Sequence, residues 1–295
     1  TINSKDGELI VKRDDKITIC NSLYDKIGWN FNLMLNNIPK NLNNGDIQSI
    51  LPKNYAKKII YNCNSNNNSK TDWSYDYGII IPCFNRLDYL MECFESLNLS
   101  IKNYSDKILL VIIDESATKD NGTTVNETEN FIINFNFCCD NIKIIKNAHG
   151  NMFESLLIGA DMIFEKCKYL MNLDSDTIHD LDWINIIQNT YDIVIKERKN
   201  DSVILTGYDS CKHPIDKSYE FYNTKKLIGG CHIFFSSRTY EKYLRYVIIS
   251  NKWDTNFCKI INDNNGIIAC VKKSVIFHTG IISSVRNEIN LDISN

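Results

Sequence analysis

Between residues 78 and 173, short apolar runs alternate with helical stripes, and this alternation constrains the fold more than any other feature of the sequence. The apolar runs are Gly78–Pro82, Ile108–Ile113, Ile142–Ile145 and Tyr169–Leu173; the helical stripes cover Leu87–Leu97 and Phe153–Phe164. A continuous apolar run of this length is typical of a strand that is buried on both faces. Strand–helix–strand alternation predicts an α/β fold, with a mostly parallel sheet covered by helices.

Composition excludes several classes of protein. With 43% apolar residues in 295, the chain can build a full hydrophobic core without a disulfide or metal staple. A formal net charge of −3 and a pI of about 6.0 argue against a broad nucleic-acid-binding face. The apolar run Ile108–Ile113 is far shorter than the roughly 18 residues that cross a bilayer, so we expect no membrane span.

The eleven cysteines indicate a reducing compartment. They are scattered, odd in number and contain no C-x-x-C, whereas a disulfide framework or zinc cluster would need regular spacing or close pairs. The chain begins with Thr1, and no charged-then-apolar leader opens it. We expect a cytoplasmic protein, or one of the host cytoplasm if the chain is viral.

Residues 1–76 differ from the rest of the chain. They end in the Asn-rich run 62–69, which reads as a polar linker, and they contain no motif with recognisable chemistry. The pattern predicts two strands and two helices, at Glu8–Lys12, Lys16–Cys20, Trp29–Leu35 and Tyr55–Tyr61. We therefore expect an accessory segment at 1–76 and the main domain at 77–295. Acceptor recognition, a homodimer contact and linkage to another domain all stay open as roles for the segment.

The acidic triplet Asp174-Ser175-Asp176 follows the fourth predicted strand. Two carboxylates that flank one small residue can point to the same side of a tight turn. Oxygen ligands of this kind suit a hard divalent cation such as Mg²⁺ or Mn²⁺, which keeps open positions for substrate phosphates. The alternative is a helix N-terminus, since Asp and Ser are preferred caps and a helix could start within Thr177–Trp183.

The first predicted strand ends in a second candidate site that contains Pro82, Phe84, Asn85 and Arg86. Proline stops a strand ladder, and the Asn-Arg pair lies where a loop could contact a nucleotide. In a mostly parallel sheet, ligands collect beyond the carboxyl ends of the strands. The alternative is an ordinary strand-to-helix turn.

Asp114 and Glu115 end the second predicted strand in the same way. A carboxylate at this position can accept the imide N–H of a uracil ring or a hydrogen bond from a ribose hydroxyl. As an isolated acidic loop the pair would mean little.

Together these motifs resemble the GT-A fold of nucleotide-sugar glycosyltransferases, in particular family 2. The family's first strand ends in I-I-P-x-x-N-R, matched by Ile80–Arg86, and its D-x-D metal motif matches Asp174–Asp176. Its second strand ends in V-D-D-x-S. Ile113–Ser116 departs from that pattern and leaves the base contact open between Asp114 and Glu115.

Three later features extend the resemblance to about residue 284. Gly229 and Gly230 resemble the glycine-rich loop that passes close to donor sugar and acceptor; the alternative is a plain turn. Asp254 matches the carboxylate that commonly serves as catalytic base, although Trp253 replaces the usual Glu; the alternative is an N-cap. His278 resembles the C-terminal histidine that completes the metal site, beside Asp174 and Asp176.

The resemblance implies transfer of a sugar from a nucleoside diphosphate, most simply a UDP-sugar, to an acceptor hydroxyl on a glycan, protein or small molecule. It implies Mn²⁺ or Mg²⁺ as cofactor. It implies a nucleotide pocket that includes Ser175 and the two glycines, and inversion with Asp254 as base. One rival is a degenerate GT-A domain that binds nucleotide or glycan without catalysis. The other is a sugar-nucleotide pyrophosphorylase, which would need a glycine-rich phosphate loop after the first strand, and this sequence has none there.

Overall fold

The computed structural model of the chain describes residues 8–13, 16–21, 73–84, 86–115, 127–147, 152–247 and 252–280, the first two ranges as backbone only. The chain divides into two compact units, residues 1–71 with 248–251 and residues 72–247 with 252–295. We describe each unit by itself. The boundary predicted at residues 76 and 77 stays a prediction.

In the first unit, two strands form an antiparallel pair. Strand β1 covers Glu8–Arg13 and β2 covers Lys16–Asn21, with Leu9 opposite Cys20. Both predicted strands are confirmed, each one residue longer than expected. The helices predicted around Trp29 and Tyr55 and the Asn-rich run lie outside the described residues.

The second unit contains eleven strands among its described residues. They are β3 (Tyr75–Cys83), β4 (Ile108–Asp114), β5 (Asn141–Lys146), β6 (Cys167–Leu173), β7 (Thr177–His179), β8 (Val203–Thr206), β9 (Ile215–Ser218), β10 (Tyr222–Lys225), β11 (His232–Ser236), β12 (Ile267–Val271) and β13 (Ile276–His278). Nine of them form one sheet in the order β5-β4-β3-β6-β11-β8-β12-β10-β9. The pairings β5-β4, β4-β3, β3-β6 and β8-β12 are parallel, and only β11 and β10 run against the other seven strands. The predicted mostly parallel sheet is therefore confirmed.

The helices of this unit are α1 (Leu87–Ser100), α2 (Glu127–Asn134), α3 (Met152–Ile163), α4 (Trp183–Arg198), α5 (Ser237–Lys242) and α6 (Trp253–Asp263). Two single turns of 3-10 helix cover Lys102–Tyr104 and Leu244–Tyr246. Among the described residues, no helix has both the length and the apolar character needed to span a membrane.

Burial explains why three of the four predicted strands, β3, β4 and β6, are marked by apolar runs in the sequence, whereas β5 is half-buried or exposed along its length. All seven residues of β4 are buried, and β3 is buried from Tyr77 to Cys83. A strand covered on both faces needs apolar side chains at every position, which produces a continuous run instead of an alternation. Because Pro82 lacks an N–H, the sequence predicted that the first strand would end there. It does not, since β3 stays paired with β4 as far as Cys83.

The segment after the acidic triplet is a strand and not the start of a helix. Strand β7 pairs antiparallel with β13, with His278 opposite Thr177 and Ile276 opposite His179, and α4 begins only at Trp183. This two-stranded sheet joins the chain after β6 to a segment about 100 residues later. The helix-cap interpretation of the triplet is therefore wrong.

Two buried imidazoles lie in the core of this unit. The Nδ1 of His232 accepts the backbone N–H of Gly207 at 2.9 Å, and His179 lies between the hydroxyls of Ser96 and Thr177. Burial lowers the pKa of each imidazole to about 3. Both histidines are therefore neutral in the folded protein over the physiological range.

Acidification is expected to destabilise this core through the two histidines. In the unfolded state each histidine binds a proton below a pH of about 6.5, whereas in the folded state it binds one only near pH 3. Between these two values the unfolded state binds more protons, so the stability of the folded state falls as the pH falls. Between pH 7 and pH 5 the loss is about 2 kcal/mol for each histidine. Urea unfolding of His232→Gln should show a pH-dependent loss that is smaller than wild type by this amount.

Asn189→Gln, at an exposed position with no titratable group, is the control and should keep the wild-type pH dependence. Because the carboxylates are the same in all three proteins, their contributions cancel in the comparison. An equal slope in His232→Gln and wild type would contradict the prediction.

Candidate active site

Three potential metal ligands converge at the carboxyl end of β6. Asp174 and Asp176 follow that strand directly, and His278 ends β13. One ligand atom from each of the three residues lies within 4.8 Å of the others. The structure therefore brings together the three residues that the sequence assigned to a metal.

Backbone hydrogen bonds hold the acidic turn in place. The N–H of Asp174 donates to the Cys231 carbonyl at 2.9 Å, and the Thr177 hydroxyl donates to the Asp174 carbonyl at 2.8 Å. The N–H and the hydroxyl of Thr279 both donate to the Asp176 carbonyl, at 2.8 and 3.0 Å. With the turn's backbone groups engaged in this way, its carboxylates remain available for a ligand.

Asp176 is the most strongly compensated carboxylate of the cluster. Its Oδ2 lies 2.6 Å from Nη2 of Arg86 and 3.3 Å from Nε2 of His278. Burial alone would raise the pKa of Asp176, but its hydrogen bond to His278 and the positive charges of His278 and Arg86 outweigh that effect and lower the pKa. Asp176 is therefore an anion in the folded protein.

Asp174 has the opposite character. Burial, followed by the negative charges of Asp176 and Asp254, raises the pKa of Asp174 to about 8, although His278 and Arg86 act in the other direction. Two carboxylates this close cannot both be charged at low cost unless more positive charge is added. A divalent cation would supply that charge.

The residues present fit such a cation. Two carboxylates and an imidazole form a ligand set common for Mn²⁺ and other divalent ions. The Oδ1 atoms of both Asp174 and Asp176 are buried and have no hydrogen-bond partner in the described part of the protein, which is costly unless a ligand satisfies them. Gly280 packs directly against the Asp176 carboxylate, because a methyl group there would overlap Asp176 Oδ2.

Arg86 reaches this cluster from the end of β3. It has a left-handed backbone, with φ 112° and ψ 58°, immediately before α1 begins at Leu87. Such a conformation is strained for a residue with a Cβ and is often found at functional sites. The predicted nucleotide residue Arg86 is thus positioned at the acidic cluster.

The other residues of the Pro82–Arg86 segment are placed less informatively. Pro82 is buried in β3, Phe84 is 37% exposed just beyond it, and Asn85 lies outside the described residues. Ser175 is half-buried between the two aspartates.

The two acidic residues that end β4 are distinguished by their partners. Asp114 Oδ2 is 2.8 Å from Nζ of Lys146, which also lies 3.0 Å from Glu129. Glu115 is 2% exposed, and its Oε1 has no hydrogen-bond partner among the described residues. Burial raises the pKa of Glu115, partly offset by Ser155. Glu115 is therefore the member of the pair with an oxygen left over for a ligand.

Sequence reasoning missed Lys146, although a signal was present. It ends β5, the third predicted strand, and so lies at the same sheet edge as the acidic residues that end β4 and β6. A basic residue at the end of one strand and an acidic residue at the end of the neighbouring strand predict an ion pair between them.

The glycine pair lies against both the acidic turn and α6. Asn172, fully buried in β6, donates from its Nδ2 to the Gly230 carbonyl and accepts the N–H of Ile233 at 3.0 Å. The Trp253 indole stacks on Phe153, with ring centroids 5.1 Å apart, and closes over Gly230. Trp253 is thus a packing residue that holds the glycine loop.

Asp254 lies in the first turn of α6, next to Trp253, and is half-exposed. Its Oδ1 accepts the N–H of Thr255 at 2.7 Å, while the helix's N-cap position is Lys252. The alternative role of Asp254 as N-cap is therefore wrong. Its charge contributes to the raised pKa of Asp174, which places the carboxylate in the electrostatic reach of the acidic cluster.

The two glycines should respond differently to alanine. A methyl group on Gly230 would lie 2.7 Å from the Trp253 ring, whereas one on Gly229 would lie 3.5 Å from His213, an ordinary contact. We expect Gly230→Ala to destabilise the protein by about 1–3 kcal/mol through overpacking, and Gly229→Ala to change stability by less than about 0.5 kcal/mol. Denaturant unfolding of both variants measures this difference, and equal effects would show that the indole does not confine Gly230.

Comparisons with known proteins agree on the fold. Residues 78–246 match the family described as glycosyl transferase family 2. None of the curated proteins matches the sequence. Among solved structures, GalNAc-T7 with UDP, GalNAc and Mn²⁺ is similar with a TM-score of 0.52 at 12% identity, over 69% of this chain and 43% of that one. A segment of S. aureus TarS in complex with UDP-GlcNAc gives 0.50 at 13% identity, over 68% of this chain and 57% of that one.

The chain thus spans about half the length of these two proteins. At this low identity the similarity is one of fold, the GT-A fold. The family match covers more than half of this chain, including β3, the acidic turn and the glycine pair. The chain belongs to glycosyl transferase family 2.

Proposed function

We propose that this glycosyltransferase is metal-dependent and moves a sugar from a UDP-sugar to an acceptor hydroxyl with inversion. The observation that carries the proposal is the convergence of Asp174, Asp176 and His278, where two buried carboxylate oxygens have no hydrogen-bond partner among the described residues. The structures of GalNAc-T7 with UDP and Mn²⁺ and of TarS with UDP-GlcNAc support the choice of nucleotide and metal.

Asp174, Asp176 and His278 would hold Mn²⁺ or Mg²⁺. The ion would supply positive charge that stabilises the diphosphate as the glycosidic bond breaks. The protein's own contribution is to hold two anionic oxygens and an imidazole in a buried turn whose backbone is already hydrogen-bonded. Such preorganisation avoids rearrangement during the reaction.

Arg86 is assigned to the diphosphate. In the absence of donor its guanidinium neutralises Asp176, and its cation–π contact with Tyr89, at 5.3 Å, keeps it beside α1. A bidentate guanidinium is well suited to phosphate oxygens. Binding of the donor gives Arg86 a second set of anionic oxygens at the same edge of the sheet.

Glu115 is assigned to the base or ribose, because Asp114 is committed to Lys146. Pro82, Phe84, Asn85, Ser175, Gly229 and Gly230 are assigned to the nucleotide site by the family resemblance. The acceptor hydroxyl belongs to a glycan, a protein or a small molecule.

Asp254 is assigned as the general base. Its carboxylate takes the proton from the acceptor hydroxyl as that oxygen attacks the anomeric carbon and the diphosphate leaves from the opposite face. Two features support this role: the Thr255 N–H orients the carboxylate, and its half-exposed position is open to an acceptor. A base of this kind contributes about 10²–10⁴-fold to rate.

Removal of one ligand charge should lower metal-dependent activity. We expect Asp176→Asn to lower sugar transfer from a UDP-sugar by about 10²–10³-fold, because a charged ligand of the ion that stabilises the leaving diphosphate is lost. Mn²⁺ binding, followed by electron paramagnetic resonance of the free ion, should weaken in the same variant.

Asp180→Asn, at an exposed position four residues along the chain, is the matched control and should behave as wild type. Unchanged Mn²⁺ affinity in Asp176→Asn would contradict the metal site. Metal-dependent binding of UDP by wild type without any turnover would instead favour the non-catalytic binding domain.

Loss of the proposed base should affect chemistry and not binding. We expect Asp254→Asn to lower kcat by about 10²–10⁴-fold while the affinities for UDP and Mn²⁺ change by less than about twofold. Asp263→Asn, an exposed carboxylate in the last turn of the same helix, is the control. Full transfer activity in Asp254→Asn would eliminate Asp254 as base.

A further inference from the structure

A buried ion pair lies outside the acidic cluster. The side chains of Lys225, in β10, and Asp209 are 1% and 4% exposed, and Nζ lies 2.5 Å from Oδ1. The same Nζ donates to the backbone carbonyls of Ser210 at 3.0 Å and His213 at 2.6 Å. The Lys225 ammonium therefore pairs with one buried carboxylate and donates to two backbone carbonyls.

These contacts determine the conformation of the segment 208–213. A buried ammonium that binds one carboxylate and two carbonyls of the same segment holds it in a single arrangement. The segment is fastened at its start as well, because the Asp209 N–H donates to the Ser274 hydroxyl and the Val275 N–H donates to the Gly207 carbonyl, each at 2.9 Å.

The segment lies between two parts of the active site. At one end the Tyr208 ring is 6.4 Å from the ring of His278, a proposed metal ligand. At the other end Nε2 of His213 would lie 3.5 Å from a methyl group on Gly229. The segment therefore extends from the metal cluster to the glycine loop.

From this placement we propose that segment 208–213 forms a wall of the donor-sugar subsite, with His213 hydrogen-bonding a hydroxyl of the sugar. Lys225 and Asp209 act as positioning residues that hold His213 against Gly229. The inference rests on the proposed function, because a sugar joined to a metal-bound diphosphate must lie next to the metal cluster. An imidazole nitrogen can donate to or accept from a hydroxyl, so His213 is suited to selecting among sugars.

Calorimetric binding with Mn²⁺ tests the wall directly. The probes are UDP and the UDP derivatives of glucose, galactose, N-acetylglucosamine and N-acetylgalactosamine, and the readout is the Kd of the best-bound UDP-sugar divided by the Kd of UDP. We expect His213→Ala to raise this ratio about fivefold, the effect of one hydrogen bond, with the Kd of UDP unchanged within about twofold. Lys217→Ala, at an exposed position in β9 outside the segment, should leave the ratio at its wild-type value.

The double variant Asp209→Leu/Lys225→Met tests the positioning residues. Replacing a buried ion pair by apolar side chains of similar size often preserves folding, which circular dichroism and thermal unfolding would verify. We expect this variant to raise the Kd ratio by the same factor as His213→Ala. The triple variant, which combines all three substitutions, should raise the ratio no further than His213→Ala alone.

The outcomes separate the two levels of the argument. Absence of Mn²⁺-dependent UDP binding in wild type overturns the proposed function and the wall with it. Normal UDP binding with an unchanged ratio in His213→Ala overturns only the wall. A raised ratio in His213→Ala with a wild-type ratio in the folded double variant overturns the positioning role of the ion pair.

Discussion

Burial of two carboxylates side by side at the end of β6 is the constraint on which the site depends. Asp174 and Asp176 are costly there, because the low-dielectric surroundings penalise each charge and each charge penalises the other. Arg86 and His278, from the ends of β3 and β13, contact Asp176 and offset part of this cost. Even with both of these groups in contact, two carboxylate oxygens have no hydrogen-bond partner in the described part of the chain. That residual cost is the physical reason to expect a divalent ion.

The rest of the second unit positions these groups. Pairing of β7 with β13 brings His278 opposite Thr177, and Thr279 then secures the carbonyl of Asp176 with two hydrogen bonds. On the other side, Asn172 and Trp253 hold Gly230 against the acidic turn. The Lys225–Asp209 pair acts in the same manner on segment 208–213. In each case a buried polar or aromatic side chain fixes a loop whose own residues face the ligand.

The sequence predicted the elements that carry clear apolar runs or helical stripes. Strands β3, β4, β5 and β6 and the helices α1 and α3 were all expected, with ends that differ by a few residues. Strands β8, β9, β10 and β12 and helices α2 and α4 were not. These strands are short, at four or five residues. Strand β9 is exposed at all four residues and no apolar run marks it, whereas Ile267–Val271 of β12 is an apolar run that was readable as a buried strand.

Among the candidate residues, the sequence by itself determined the chemical groups at the ends of the strands: the acidic triplet, the Asn-Arg pair, the Asp-Glu pair, the glycines and the histidine. A motif needs only local spacing, and that is readable in one dimension. Only the tertiary structure decided which of these residues are held by a neighbouring side chain and which have an oxygen available for a ligand. Lys146 forms an ion pair with Asp114, whereas Glu115 Oε1 has no hydrogen-bond partner among the described residues. Trp253 packs against Gly230 and not against Gly229. Lys225 donates a hydrogen bond to the His213 carbonyl. These choices depend on contacts between residues far apart in the chain, where burial and charge compensation, which no local pattern records, select the partner.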